Sequence, residues 1–173
     1  LTAETIDFWQ ATAPELLIFN EYGPTEATVA CSVFKLSDER ISRQSISIGR
    51  PIANTQLYIL DKRLEPVPIG VVGELHIGGV GLARGYLNRP ELTAEKFIRN
   101  PFSKDPQARL YKTGDLARYL PDGNIEFLGR IDHQVKIRGY RIELGEIETA
   151  LRKHGDVADA VVIDREDIPG HKQ

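Results

Sequence analysis

Three residues of the stretch from Tyr22 to Glu26 (YGPTE) bring an aromatic ring, a hydroxyl and a carboxylate close together. Tyr22 could stack on a base, Thr25 could bond a phosphate oxygen, and Glu26 could hold a hard cation such as Mg²⁺. The stretch is predicted to follow a buried strand, where open α/β sheets commonly present ligand sites. A proline turn followed by an N-capped helix would explain the same residues without a ligand, so both interpretations stay open.

A second candidate is the stretch from Tyr111 to Asp115 (YKTGD), which is predicted to lie at the end of a strand. A carboxylate that follows a glycine can accept two hydrogen bonds from a vicinal diol such as ribose. A turn aspartate that bonds its own backbone has the same sequence pattern. The stretch therefore permits a ribose contact but does not require one.

The glycine-rich stretch from Gly73 to Gly81 invites comparison with a dinucleotide-binding loop. Its glycines do not fall in the GxGxxG pattern, and no helix is predicted to begin within them. We interpret them as structural residues that permit tight turns and close backbone contacts.

The run from Gly129 to Glu148 changes the sign of its charge halfway. Its first half is rich in Arg and Lys and alternates with period two, as a half-buried strand does, until Gly139 interrupts it. Its second half carries glutamates and places Leu144, Ile147 and Leu151 at helical spacing, with Gly155 as a predicted left-handed C-cap. The run predicts a strand, a glycine turn and an amphipathic helix, although a sheet edge with solvated charges gives the same pattern.

The remaining pattern predicts an α+β chain with more strand than helix. A proline–aspartate–glycine turn at Pro121 to Gly123 separates the last two strands of a meander. Helices are predicted at Ala3 to Thr12 and Pro90 to Phe97, and extended segments at Glu15 to Phe19, Val29 to Leu36, Leu57 to Leu60, Glu74 to Ile77, Arg109 to Tyr119 and Asn124 to Leu128.

Composition excludes several classes of protein. With 41% hydrophobic and 27% charged residues the chain has an ordinary globular balance, and it contains no apolar run long enough to cross a membrane. A net charge of -3 without a basic face argues against a nucleic-acid partner. The single Cys31 cannot form an internal disulfide, and the four histidines do not have metal-ligand spacing. We expect a cytoplasmic protein, since no signal segment is seen, and the absence of Met leads us to expect a chain cut at both ends.

Four stretches in this order and spacing resemble the adenylation domains of nonribosomal peptide synthetases, which belong to the superfamily of adenylate-forming enzymes. They are YGPTE, GELHIGGVGLARGYLNRPELTAEKF, YKTGDL and GRIDHQVKIRGYRIELGEIE, and the resemblance extends from about Asn20 to Val162. It implies that residues 1–131 are the C-terminal, β-rich part of the large subdomain. Residues 132–173 would be the hinge and the beginning of a small, mobile α+β subdomain.

The resemblance also implies roles for single residues. Tyr22 would stack on adenine and Asn20 would contact its edge, while Asp115 would hold both ribose hydroxyls. Thr25 would lie near the α-phosphate, Glu26 would help to hold Mg²⁺, and Phe127 replaces a tyrosine that many family members have. The remaining assignments are Arg130 on the ribose side, Lys136 close to the nucleotide, Asp132 as hinge, Gly139 in the loop along the pantetheine path, and Glu21, Val29 and Ala30 in the amino-acid pocket.

The implied activity is formation of an aminoacyl adenylate from ATP and an amino acid, followed by transfer to the phosphopantetheine thiol of a carrier domain. The implied partners are the amino-acid substrate, a peptidyl carrier domain and a condensation domain. The family's phosphate loop, with its lysine, would precede Leu1, and a second lysine would follow Gln173. We therefore expect the 173 residues alone to be inactive.

Two alternatives stay open. One is a stand-alone adenylate-forming ligase, of the D-alanine–carrier protein or acyl-CoA type. The D-alanine ligases share YGPTE, whereas acyl-CoA ligases usually lack its proline. The other is a degenerate, non-catalytic nucleotide-binding domain, against which stands the presence of a chemically competent residue at each visible nucleotide position.

Overall fold

The computed structural model describes residues 3–36, 46–132, 134–137, 140–168 and 171–172. The chain divides into two compact units, Leu1–Gly129 and Arg130–Gln173. Its described residues combine helices with a larger share of strand, which confirms the α+β class. The assignment of the two predicted segments to a large and a small subdomain stays a prediction.

The first unit begins with helix α1 (Ala3–Thr12), which has the predicted bounds. Strands β1 (Ile18–Tyr22), β2 (Ser32–Leu36) and β3 (Arg50–Pro51) form an antiparallel sheet in the order β1-β2-β3. A 3-10 turn over Thr25–Ala27 joins β1 to β2. The segment predicted to be extended from Val29 therefore begins as a strand only at Ser32.

The prediction of a buried strand at Glu15 to Phe19 is wrong. The strand is β1, which starts at Ile18, and the side chains of Leu16, Leu17 and Phe19 are exposed. In the described part of the chain β1 pairs only with β2, and the apolar side chains of this run stay largely open to solvent. As a result Asn20, Glu21 and Tyr22 lie within a strand and not in a loop after it.

The larger sheet of this unit has five antiparallel strands and contains most of the core. Its order is β4-β5-β7-β6, with β8 also paired to β7, and helix α2 precedes β6. Four strands predicted from periodicity are present, most of them longer than predicted, and α2 begins at Pro90 as expected. The bounds are β4 Thr55–Leu60, β5 Gly73–Gly79, α2 Pro90–Lys96, β6 Phe97–Arg99, β7 Arg109–Tyr119 and β8 Ile125–Arg130.

The apolar core lies where alternate residues of these strands face inward. Ile59, Leu75, Ile77 and Ile125 are almost completely inaccessible to solvent. The glycines of β5 allow neighbouring backbone to come close, because a Cβ on Gly73 would lie 2.6 Å from the carbonyl oxygen of Leu60. This confirms the structural interpretation of the glycine-rich stretch.

The pairing of β5 with β7 is interrupted by a bulge in YKTGD. His76 faces Lys112 and Glu74 faces Leu116, so residues 113–115 of β7 face Leu75 alone. Gly114 adopts a left-handed conformation with φ 73°, which favours glycine. YKTGD was predicted to lie at the end of a strand. It lies inside β7 instead, because the strand continues to Tyr119.

The second unit contains the hairpin of β9 (Val135–Ile137) and β10 (Tyr140–Ile142), followed by helix α3 (Leu144–Leu151). A short pair, β11 (Glu166–Ile168) and β12 (His171–Lys172), completes it. The predicted strand and helix are present, but the strand β10, which was not predicted, lies between them, and Gly139 lies outside the described residues. No helix in the ranges that the structure describes is long and apolar enough to span a membrane.

The prediction of a left-handed cap at Gly155 is wrong. Helix α3 ends at Leu151, and its C-cap is Arg152 in a right-handed conformation. The N–H groups of Arg152, Lys153 and His154 donate to the carbonyl oxygens of Glu148, Ala150 and Leu151. Because these turns already satisfy the terminal carbonyl groups, the helix end does not need a left-handed glycine.

Candidate functional site

Tyr22 and Asp115 come from two different stretches, 93 residues apart, and meet in a hydrogen bond from the Tyr22 hydroxyl to Asp115 Oδ2. Tyr22 ends β1 and Asp115 lies in β7, so the contact joins residues of two sheets. Asp115 is only 6% exposed. Its carboxylate therefore accepts a bond from a distant side chain, in contrast to the local turn aspartate considered as an alternative.

Burial determines the protonation of this pair and of the neighbouring thiol. Burial first, and then the Asp115 carboxylate, raise the pKa of Tyr22 well above its ordinary value. Tyr22 therefore stays a hydrogen-bond donor. Burial, with a smaller contribution from Asp115, also raises the pKa of the Cys31 thiol to about 12. Cys31 stays protonated at neutral pH, which does not suit a nucleophile.

The bulge in β7 fixes the position of Asp115 through hydrogen bonds on both sides of it. The Thr113 hydroxyl donates to the Leu75 carbonyl oxygen at 2.7 Å and accepts the Asp115 N–H at 2.9 Å. The Gly114 N–H donates to Glu74 Oε1 at 3.1 Å. The carboxylate thus projects from a part of the strand whose backbone is held firmly.

The ring of Phe127 lies beside Tyr22. Their ring centroids are 6.2 Å apart with an angle of 37° between the planes, so the rings are tilted and not stacked. Both rings are partly exposed, and Phe127 comes from β8. The arrangement keeps aromatic surface next to the Tyr22–Asp115 pair.

Glu26 is buried, with 7% of its surface exposed, although it is a carboxylate. Its Oε1 accepts a hydrogen bond from the Tyr86 hydroxyl at 2.6 Å, and its carbonyl oxygen accepts the Ala83 N–H at 2.8 Å. Thr25, one residue earlier in the 3-10 turn, is exposed. The turn therefore directs a hydroxyl outward and holds a carboxylate close to the core.

The other residues predicted for the first unit are more dispersed. Asn20 donates from Nδ2 to the Ser47 carbonyl oxygen at 2.7 Å. Glu21 is exposed and lies on the opposite face of β1 from Asn20 and Tyr22, because successive strand residues alternate. Val29 is 72% exposed, and Ala30 is partly exposed.

Among the predicted residues of the second unit, Arg130 and Asp132 contact each other. Arg130 Nε donates to Asp132 Oδ1 and a terminal guanidinium nitrogen donates to Oδ2, each at 2.6 Å. Asp132 Oδ1 also accepts the Gln134 N–H at 3.2 Å. Lys136 faces Arg141 across the hairpin, but its side chain is outside the described part of the structure, as is Gly139 altogether.

Two residues that hold the site, Tyr86 and Thr113, received no role from the sequence. Both lie in stretches that attracted attention for other reasons, and their partners Glu26 and Leu75 are distant along the chain. No local spacing signals such contacts. A tyrosine in a conspicuous motif was the single available hint, since the hydroxyl of a tyrosine that packs against a core usually has a partner.

The described residues form no group of three or more His, Cys, Asp or Glu side chains that could hold a metal ion by themselves. Glu26 nevertheless suits Mg²⁺, which is usually bound by one or two carboxylates together with substrate phosphates. The hydrogen bond from Tyr86 gives this hard oxygen donor a fixed orientation. The residues present therefore fit the cation that the resemblance implies.

Comparison with known proteins agrees with the pattern of motifs. A family model described as AMP-binding enzyme matches residues 1–87. The chain is 63% identical over 161 residues to a linear gramicidin synthase of Brevibacillus parabrevis, covering 93% of this chain and 3% of that protein. It is 59% identical over 156 residues to bacitracin synthase 2 of Bacillus licheniformis, covering 90% of this chain and 6% of that protein.

A solved structure extends the likeness to the whole chain. The structure of PA1221, described as a nonribosomal peptide synthetase protein containing adenylation and PCP domains, aligns with a TM-score of 0.86 and 34% identity. The alignment covers 100% of this chain and 35% of that one. The chain therefore spans a small part of the synthetases and about a third of this structure. It belongs to the AMP-binding enzyme family, in the group represented by the adenylation domains of nonribosomal peptide synthetases.

Proposed function

We propose that this chain is part of an adenylation domain that activates an amino acid with ATP and passes it to a carrier domain in nonribosomal peptide synthesis. The observation that carries the proposal is the hydrogen bond between Tyr22 and Asp115. It joins the two stretches that had been assigned separately to adenine and ribose. A buried carboxylate beside partly exposed aromatic rings is suited to a nucleoside, which has a flat base and a diol.

The nucleotide would be held from several sides. Tyr22 would stack on adenine with Phe127 nearby, and Asn20 would contact the base edge. Asp115 has two oxygens, so it can accept ribose hydroxyls while it still accepts the Tyr22 bond. Thr25 is exposed and would approach the α-phosphate, and Arg130 and Lys136 would add positive charge on the nucleotide side.

Glu26 would hold Mg²⁺ together with phosphate oxygens of ATP. When bound, the cation would offset negative charge on the phosphates. In this chain, Glu26 would present one carboxylate oxygen in a fixed direction from a buried position. That preorganisation limits the rearrangement needed when ATP binds.

The reaction would take place in two halves. In the first, a carboxylate oxygen of the amino acid attacks the α-phosphorus of ATP, and the bond to the β-phosphate oxygen breaks to release pyrophosphate. In the second, the phosphopantetheine thiol releases its proton to solvent and its sulfur attacks the acyl carbon. The bond from that carbon to the phosphate oxygen breaks, AMP leaves, and a thioester remains.

The second half requires a different set of neighbours around the same acyl group. Asp132 would act as the hinge, and Gly139 would line the pantetheine path after the small subdomain turns. The partners would be a peptidyl carrier domain, a condensation domain and the amino acid, in the cytoplasm. PA1221, which contains adenylation and PCP domains, supports the carrier partner. Glu21, Val29 and Ala30 would contribute to the amino-acid pocket.

The direct test is amino-acid-dependent exchange of pyrophosphate into ATP, measured over a panel of amino acids with the adenylation domain that contains this sequence. We expect exchange with one amino acid or a small set of similar ones. A stand-alone ligase would be favoured if D-alanine supports pyrophosphate exchange and the domain also loads a free carrier protein. Nucleotide binding without exchange for any acid would favour a non-catalytic domain.

The 173 residues by themselves are expected to give no amino-acid-dependent exchange. The reason is that the phosphate loop and the two lysines that the resemblance assigns to catalysis are not among them. The same assay on the purified 173-residue chain, with the whole adenylation domain as positive control, checks this. Exchange above background would contradict it.

A further inference from the structure

Tyr86 follows the glycine-rich stretch along the chain and contacts Glu26, the proposed cation ligand. Its hydroxyl donates to Glu26 Oε1 at 2.6 Å, across 60 residues of sequence. Glu26 is almost fully buried, so this bond restrains a carboxylate that water reaches poorly. Without a donor, a buried carboxylate would be costly to keep charged.

Tyr86 has contacts at its backbone, its ring and its hydroxyl. Its backbone N–H donates to Thr93 Oγ1 in α2 at 2.9 Å. Its ring lies edge-on to Phe97, with centroids 5.7 Å apart and an angle of 65°. Its hydroxyl is also 3.5 Å from the Tyr111 hydroxyl. These contacts restrain the position of the Tyr86 ring next to Glu26.

The segment before Tyr86 holds the backbone around Glu26 as well. The Ala83 N–H donates to the Glu26 carbonyl oxygen at 2.8 Å, and the Gly81 carbonyl oxygen accepts from the Thr28 hydroxyl at 2.6 Å. The Arg109 guanidinium donates to the carbonyl oxygens of Ala83 and Arg84 at 2.9 Å each. One segment thus fixes both the main chain and the side chain of Glu26.

The hydrogen bond between Tyr86 and Glu26 has one direction, since the Tyr86 hydroxyl donates and Glu26 Oε1 accepts. A hydrogen bond of this kind both orients a carboxylate and tunes its strength as a ligand, which is how groups behind metal ligands influence affinity.

We propose that Tyr86 is a positioning residue that orients the Glu26 carboxylate for the divalent cation of the adenylation reaction. The inference rests on the proposed function, because the cation accompanies ATP. Tyr86 would not touch the nucleotide or the reacting atoms. It would act through Glu26 alone.

The test uses Tyr86→Phe in the adenylation domain that contains this sequence. Binding of Mn²⁺ in the presence of a non-hydrolysable ATP analogue is followed from the EPR signal of free Mn²⁺. The dissociation constant should rise roughly tenfold or more, as for other groups that support a metal ligand. The Mg²⁺ concentration for half-maximal exchange should rise in parallel, while KM for the amino acid stays near the unaltered value.

Tyr119→Phe is the matched control, because it removes a partly buried tyrosine hydroxyl that donates to the Leu57 carbonyl oxygen at 2.8 Å, away from Glu26. It should leave the Mn²⁺ constant unchanged. In a Glu26→Gln background, adding Tyr86→Phe should have no further effect. Thr93→Val, which loosens Tyr86 without removing its hydroxyl, should raise the constant by a smaller factor.

The outcomes separate the two proposals. Unchanged Mn²⁺ affinity in Tyr86→Phe, or additive losses in the double variant, would overturn the role of Tyr86. If Tyr119→Phe loses as much Mn²⁺ affinity as Tyr86→Phe, the effect of Tyr86 is general stabilisation of the fold and not orientation of Glu26. If the unaltered domain neither exchanges pyrophosphate nor binds Mn²⁺ with the analogue, the proposed function itself fails.

Discussion

At the level of single residues, the site depends on polar groups that are buried with a defined partner. Asp115 is paired with Tyr22 and Glu26 with Tyr86, in each case a carboxylate and a phenol. Both phenols have a raised pKa, so the direction of each hydrogen bond is fixed at neutral pH. The two carboxylates are thus oriented before any ligand arrives, which lowers the cost of binding.

Asp115→Ala in the adenylation domain should weaken the use of ATP. The ribose hydroxyls would lose a charged acceptor worth about 1.5 to 3 kcal/mol, so KM for ATP should rise by roughly one to two orders of magnitude. Steady-state exchange at varied ATP measures this. Asp122→Ala is the control, because Asp122 is a turn aspartate that bonds Asn124. An unchanged KM in Asp115→Ala would refute the ribose assignment.

His76 is a further buried polar residue, and it affects stability rather than the site. It has 0% exposure in β5, and its Nδ1 lies 3.0 Å from the Glu74 carbonyl oxygen. Its Nε2 makes no hydrogen bond among the residues that the structure describes. Burial lowers the pKa of His76 below its ordinary value, an effect that Lys112 reinforces and Glu74 opposes.

The stability of the protein should therefore fall in mild acid. Because the folded state favours neutral His76, the unfolded state binds the proton more readily, and stability is lost as pH falls below about 6.5. Urea unfolding from about pH 7.5 to 5 should show this loss. The slope of the free energy of unfolding against pH should be smaller in His76→Gln. His154→Gln changes an exposed histidine and should keep the slope of the unaltered protein. Equal slopes in all three proteins would exclude His76 as the cause.

Among the helices and strands, the bulge in β7 places the site. Strand β7 has two additional residues within 113–115, and Gly114 is left-handed there, while Thr113 and Asp115 on either side of it are both buried. Thr113 holds this irregularity through its bonds to Leu75 and Asp115. The bulge is thus a positioning element as well as a break in pairing.

Thr113→Val should destabilise the fold by about 1 to 3 kcal/mol, because it leaves a buried carbonyl and a buried N–H without their hydroxyl partner. It should also raise KM for ATP by displacing Asp115. Denaturant unfolding and exchange kinetics measure the two effects. The control is Thr12→Val, whose exposed hydroxyl bonds the Phe8 carbonyl oxygen. A stable Thr113→Val protein with unaltered KM would show that the bulge does not depend on this hydroxyl.

Over its full length, the chain separates into two compact units after Gly129. The proposed hinge residue Asp132 lies three residues beyond this point and forms a bidentate ion pair with Arg130. Such a pair is stronger than a single contact and holds the segment in one local conformation. A rotation of the backbone at Asp132 would therefore act directly on the two hydrogen bonds between Arg130 and Asp132.

Asp132→Pro should reduce thioester formation more than adenylate formation, because proline fixes one dihedral angle of the proposed pivot. Exchange reports the first half, and loading of a carrier domain with labelled amino acid reports the second. Asp132→Ala also removes the ion pair but keeps the backbone free, so it should retain more loading than Asp132→Pro. Equal loss of both halves in Asp132→Pro would count against a hinge at this position.

Local sequence pattern was sufficient to predict most of the helices and strands. Helix α1 and strand β7 have the predicted bounds, and the PDG turn and α2 also lie where predicted. These features depend on local periodicity, proline and glycine, which act within a few residues. The four motifs also indicated the family before any contact was known.

Which motif residues meet depends on packing and could not be predicted. Sequence spacing does not show that Tyr22 contacts Asp115 or that Tyr86 contacts Glu26, since these partners are 93 and 60 residues apart. The apolar run at Glu15 to Phe19 predicted a buried strand wrongly, because burial depends on which other parts of the protein pack on its side chains and not on their hydrophobicity alone. Local pattern specifies elements, whereas partners, register and burial depend on the packing of the whole chain.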